Sequence, residues 1–208
     1  NIKSDTNTFF IKAKNILNEL EKSLGWVYEV DNQDDKAKGV INYIVWSDVF
    51  SCKNCSEEVV FYDIAIDKKL KKVKSSFECP KCSSVLTKND LDNCKVTIID
   101  NNTNEVKQVQ KQVPVLVNYL VGKKRYERPI NDGDLDLIEK IDNTEINKFF
   151  PSEKIIDGQN TSQPKNSHGL TYMYDFYTKR NLLILSEIWD KFKTDINLSL
   201  LFTSVCST

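Results

Sequence analysis

The chain has 208 residues, 40% of them hydrophobic and 28% charged, the proportions of a globular rather than a disordered protein. Its 29 basic and 30 acidic residues leave a formal charge of −1, which excludes a polycation drawn to nucleic acid by total charge alone. No stretch reaches the roughly 18 apolar residues that a membrane helix needs, and no secretory leader is recognisable. The expected setting is therefore cytoplasmic, without a membrane partner. The first residue is Asn1, not methionine, and we expect an excised fragment of a longer protein.

Residues 6–26 repeat apolar side chains at Phe9, Phe10, Ala13, Ile16, Leu17, Leu20 and Leu24, the period of an amphipathic helix. Thr6 or Thr8 is its expected N-cap and Gly25 its stop. Residues 30–39 read as a polar loop, and residues 39–50 as a strand leading into the stretch Ser-Cys-Lys-Asn-Cys. Residues 57–67 are rich in β-branched and aromatic side chains and read as a second strand. A lysine-rich run, 67–74, and a strand-like segment lead to Phe-Glu-Cys-Pro-Lys-Cys. Residues 94–100 and 106–122 read as strands of a hairpin across a turn-rich Asp-Asn-Asn-Thr-Asn-Glu, with Pro114 marking an edge or a break. A short helix is expected over 134–142 and a long loop over 156–169. A strong amphipathic helix is expected over 176–193, with Thr178 as N-cap and Leu182, Leu185, Trp189 and Phe192 on one face.

The cysteines carry the clearest chemistry. Cys52 and Cys55 are followed, after 23 intervening residues, by Cys79 and Cys82. A Cys-x-x-Cys turn presents two sulfurs on one side, and two such turns complete a tetrahedron around Zn²⁺. Strand, turn and strand between two knuckles describe a zinc ribbon. Disulfides suit an intracellular chain less well, and neither pair has the strand-then-helix setting of a redox dithiol. A four-cysteine iron site uses the same ligands, and spacing alone does not separate it from zinc. With all four positions filled by sulfur the metal is structural. Cys94 and Cys206 fall outside the pattern and read as ordinary thiols.

Other chemistry is sparse. There is no Gly-rich phosphate loop, no paired-carboxylate arrangement stands out, and the single histidine, His168, lies in the expected 156–169 loop and does not by itself supply a nucleophile–histidine system. By itself the chain does not look catalytic. Charge is uneven, however: residues 67–74 hold five lysines, and Lys123, Lys124, Arg125 and Arg128 cluster within seven residues of one another. Lys179 and Arg180 open the 176–193 helix, where the dipole disfavours cations, which hints at an anionic partner. Most such runs are simply solvated faces.

The stretches INYIVWSDVFSCKNC, VPVLVNYLVGKKRYERP and FYTKRNLLILSEIW together resemble the central region of bacterial S-adenosylmethionine-dependent, amino-group DNA methyltransferases that carry an inserted zinc ribbon. The likeness runs from about residue 11 to residue 192. It implies the ribbon at Cys52, Cys55, Cys79 and Cys82, and a place between the cofactor-binding and catalytic motifs, where a target-recognition region sits. Neither motif occurs here: the chain has no Gly-x-Gly and no Pro-Pro. S-adenosylmethionine is thus expected only in the parent protein, and no cofactor-binding or catalytic residue is assigned.

The expected fold class is α+β: an N-terminal helix and linker (1–38), a zinc-ribbon module (39–99) and a mixed region with a C-terminal helix (100–208). The implied partners are DNA, met by Lys123, Lys124, Arg125, Arg128, Lys179 and Arg180, and the rest of the methyltransferase chain. Tyr126 is placed to stack on a flipped base. The alternative is a non-enzymatic zinc-ribbon module that docks on protein or nucleic acid.

Overall fold

The structure is a computed structural model that describes residues 6–33, 35 and 37–206. In chain order its main elements are α1 (Thr6–Leu24), β1 (Glu29–Asp31), β2 (Lys38–Cys52), β3 (Glu58–Val60), α2 (Phe61–Ala65), β4 (Ile66–Asp67), β5 (Lys72–Val73), β6 (Phe77–Glu78), β7 (Val85–Leu86), β8 (Leu91–Asn93), β9 (Lys95–Ile99), β10 (Val106–Gln110), β11 (Gln112–Val121), β12 (Lys124–Pro129), α3 (Asp132–Asp142), α4 (Gln159–His168), α5 (Lys179–Phe192) and α6 (Ile196–Cys206). The class is α+β. No helix among the described residues is long and apolar enough to cross a membrane.

The chain divides into two compact units. The described residues of Asn1–Val40, Asn131–Lys154 and Tyr172–Thr208 form the first, and Ile41–Ile130 with Ile155–Thr171 form the second. The first unit is mainly helical. Ala13 of α1 meets Phe192 of α5 and Leu198 of α6, with Phe9, Ile16, Ile188 and Phe202 around them. The apolar stripe of α1 is narrower than its sequence suggests, since Phe10 and Leu17 are exposed. A second cluster joins Val27, Ile141 and Leu183, and a third joins Tyr172, Tyr174 and Leu182. Each fully buried valine, leucine, isoleucine or phenylalanine among them contributes about 1.5–3 kcal/mol. Lys12 reaches Asp195 at 2.6 Å and Lys191 reaches Glu19 at 2.8 Å, but such exposed ion pairs contribute little.

The second unit is mostly strand. Within it β2 pairs with β3 and β8 and lies beside β11, which pairs with β12. The β11–β12 register runs from Leu116↔Pro129 to Val121↔Lys124, so Pro114 lies ahead of it. β9 and β10 form a hairpin, with Val106 opposite Ile99, but the expected strand 106–122 is divided at Lys111 into β10 and β11, which lie in different sheets, and β11 runs through Pro114 without a break there. The hairpin turn is held by Asp100, whose backbone accepts from Asn104 at 2.7 Å, and Lys107 pairs with Asp100 at 2.7 Å.

Four other expectations are corrected. Residues 57–67 are not one strand: α2 interrupts them, because Phe61, Ile64 and Ala65 share a helical face that packs on Phe50 and Phe77. Helical spacing at three side chains outweighs β-branched composition here. Residues 156–169 are not a loop. α4 spans Gln159–His168 with Pro164 inside it, and it ends on Gly169 in the left-handed conformation, φ 76°. Residues 30–39 are not simply a loop either, since β1 and the start of β2 pair there, Glu29 opposite Val40. Last, α5 is followed by a further helix, α6. Helix α1 begins at Thr6, so Thr8 lies inside it; the Thr6 side chain lies outside the described residues, as does that of Cys206.

Candidate metal centre

The two knuckles have the same backbone wiring. In the first, Cys52 N–H donates to Glu57 O at 2.9 Å and Ser56 N–H donates to Cys52 O at 2.8 Å. In the second, Cys79 N–H donates to Ser84 O at 3.0 Å and Ser83 N–H donates to Cys79 O at 3.0 Å. The residue after each second cysteine is left-handed: Ser56 has φ 58° and Ser83 has φ 57°. A tight turn of this shape aims both sulfurs of a Cys-x-x-Cys to one side.

Each knuckle rests on a strand framework. β2 ends on Cys52, and β3 and β8 flank it at Phe50 and Ser51. β6 and β7 pair Phe77 with Leu86 and Glu78 with Val85 around the second knuckle. Beneath them lies a small core of Phe50, Val59, Ala65, Phe77, Leu86 and Leu91. Phe61 bridges it edge-on, with ring centroids 5.5 Å from Phe50 and 5.9 Å from Phe77. A core this size is marginal without a staple.

The four Sγ atoms lie within 4.8 Å of one another. Cys52 and Cys82 are 3.9 Å apart, and Cys55 and Cys79 are 3.6 Å apart. With metal–sulfur bonds of about 2.3 Å, the edge of a tetrahedron is about 3.8 Å. The group can hold a metal ion, and its spacing is compatible with zinc. Cys52 and Cys79 are buried, Cys55 half-buried and Cys82 exposed.

Without a metal the thiols differ in acidity. Cys82 is pulled down to about 6, first by the Ser84 hydroxyl 3.3 Å away and then by the Ser84 backbone. At Cys55 the Glu57 amide pulls down, but burial and the three neighbouring thiols push the group up to about 12. Each knuckle holds one lysine: Lys81, inside the second, pairs with Glu57 at 2.7 Å. Lys53, inside the first, donates to Asn89 O at 2.6 Å. Cys94 stands apart from the cluster, its thiol pushed up chiefly by burial.

The basic residues fall into two settings. Lys123, Lys124 and Arg125 are exposed at the β11–β12 turn. Arg128 is 5% exposed, its guanidinium 5.6 Å over the Tyr119 ring, so it belongs to the packing of the sheet. Tyr126 stacks on Tyr119 at 5.5 Å and lies under the Lys124 ammonium. In the first unit, Thr178 caps α5 by accepting from Asn181 N–H at 3.3 Å. Lys179 and Arg180 follow, both half-buried. Arg180 lies 5.6 Å over the Tyr28 ring; burial lowers its pKa, and Tyr28, Asp134 and Asp142 counter this. Its cation therefore has anionic company within the chain, from Asp134 and Asp142, and needs no external anion to sit in the first turn of α5. His168 closes α4, with Nδ1 2.6 Å from Ser167 Oγ.

No protein-family model, curated protein or solved structure matches the chain.

Proposed function

We propose that this chain is a zinc-stapled region of a site-specific DNA methyltransferase, serving target recognition between cofactor-binding and catalytic segments. The observation that carries the metal half is the pair of identically wired knuckles, whose four sulfurs lie within 4.8 Å of one another. Cys52, Cys55, Cys79 and Cys82 would hold Zn²⁺, which supplies a rigid tie between the turns and leaves no coordination position for water or substrate. The methyltransferase half rests on the three resembling stretches and on the exposed cations at the β11–β12 turn.

No residue of this chain is assigned to S-adenosylmethionine. Its glycines are nowhere two positions apart and it has no Pro-Pro pair, so cofactor and chemistry belong to residues outside these 208. The test is the encoding reading frame on either side, together with methyl transfer by its product to duplex DNA. A frame without the Gly-rich and Asp-Pro-Pro motifs, or a product that methylates no DNA, overturns the assignment.

A second reading, a non-catalytic zinc-ribbon module that docks on protein, is favoured by the inward placement of Arg128 and Arg180. Metal content without DNA binding would select it.

A further inference from the structure

The lysine run folds into a defined object. β4 and β5 pair Ile66 with Val73 and Asp67 with Lys72, making a two-stranded ribbon between the knuckles. Its turn is fixed at three points. Asp67 Oδ1 accepts from the Lys69 and Leu70 amides, both at 2.9 Å; Lys71 takes a left-handed φ of 51°; and Lys74 N–H donates to Ala65 O at 2.8 Å. Residues 68–76 are all exposed.

The ribbon has a neighbour that the sequence does not show. Lys71 Nζ lies 3.6 Å from Glu127 Oε1 on β12, so the run at 67–74 and the run at 123–128 meet on one surface of the second unit. Arg125 is two residues from Glu127 and leans to the same side of the strand. Three lysines of the ribbon have partners: Lys68 with Asp63 at 3.3 Å, Lys71 with Glu127, and Lys74 with the Ile64 carbonyl at 3.2 Å. Among the described residues, Lys69, Lys72, Lys123 and Arg125 have no acidic partner.

We propose that the β4–β5 ribbon, with the β11–β12 turn beside it, is a docking surface for the phosphate backbone of double-stranded DNA. The major groove admits a two-stranded β-ribbon, and its walls are phosphates that lysines on both faces of such a ribbon meet. A lipid surface would ask for apolar side chains on one face and cations on the other. Here Leu70 and Val73 are the exposed apolar residues, and they lie among lysines. The exposed Lys71–Glu127 pair costs little to exchange for a phosphate.

The proposal rests on the DNA-contact reading above, and the test separates the two. Binding of the whole 208-residue chain to a mixed-sequence duplex is titrated against salt, for the parent, K69A/K72A, K123A/R125A and a control, K14A/K22A, on α1. Each lost phosphate contact removes about 0.9 from the slope of log K against log salt. Each ribbon or turn double variant should therefore lose about 1–2 from that slope and bind several-fold more weakly, with metal content unchanged, while the control keeps the parent slope. A parent that binds DNA with K69A/K72A unaltered overturns the ribbon and leaves the DNA reading standing. A parent that binds no duplex overturns both. Loss of binding to phosphatidylcholine–phosphatidylserine vesicles in K69A/K72A, with duplex binding untouched, also overturns the proposal in favour of a lipid surface.

Discussion

Ser56 and Ser83 are structural equivalents, one in each knuckle, with φ of 58° and 57° and each donating its N–H to the carbonyl of the first cysteine. A left-handed conformation costs an L-residue about 1–2 kcal/mol. Glycine at either position removes that strain, so Ser56→Gly and Ser83→Gly should keep metal binding and leave stability unchanged or up to about 1 kcal/mol higher. Ser56→Val, β-branched, should destabilise by more than that. Urea midpoints of the metal-loaded proteins read the difference; a valine variant as stable as the parent would remove the argument.

Cys79→Ser should abolish metal binding. Structural zinc sites contribute on the order of 10 kcal/mol to folding of small metal-dependent modules, and the core under the knuckles is small. Hydrogen-exchange protection at Leu86 and Phe77 should therefore collapse, while α5, in the other unit, keeps its protection. Plasma mass spectrometry on the parent settles zinc against iron, and full metal occupancy in the variant would show that the ligand set is wrong.

A side chain at Gly169 should be poorly tolerated. A Cβ there would lie 2.3 Å from the Gln108 carbonyl oxygen, and the backbone is left-handed, φ 76°. Gly169→Ala should cost about 1–3 kcal/mol and loosen the end of α4 against β10. Thermal unfolding measures it, and a neutral substitution would contradict the close approach.

Asp190 should titrate abnormally low. Hydrogen bonds from Lys193 at 2.6 Å and Lys148 at 2.9 Å hold its carboxyl down to about 2, from an ordinary 3.8. Because the folded value is the lower one, the contribution to stability is complete above about 4 and disappears as pH falls towards about 2. Carboxyl chemical shifts followed through acid would place the midpoint, and a midpoint near 3.8 would mean the pairs do not form in solution.

Local signals were the legible ones. The cysteine spacing, the periodicity of α1 and α5, the Thr178 cap and the hairpin of 95–110 all depend on neighbours a few positions away, whereas the division of 106–122 at Lys111 does not. α2 was hidden because Val59, Val60, Phe61 and Ile64 favour strand by composition, and only the core formed with Phe50 and Phe77 makes Phe61, Ile64 and Ala65 a helical face. α4 carries no apolar stripe and contains Pro164; Gly169 against Gln108 is a long-range fact. α6 is apolar on several sides, exposing Ile196 and Leu200 while burying Leu198, so no period marks it. At the basic clusters charge was visible but company was not: Arg128 over Tyr119, Arg180 among Tyr28 and two aspartates, and Lys71 beside Glu127.

The interrupted first unit sets a timetable for synthesis. Its N-terminal helix is tied to Asp195, 183 positions downstream of Lys12, whereas the sulfurs of Cys52 and Cys82 span 30. At about 5–20 residues per second, a ribosome completes the metal ligands seconds after the first knuckle appears, but leaves α1 without α5 and α6 for about 10–40 s. Its apolar face waits for its partners during that interval, so the four-cysteine cluster is complete early and the helical unit closes last.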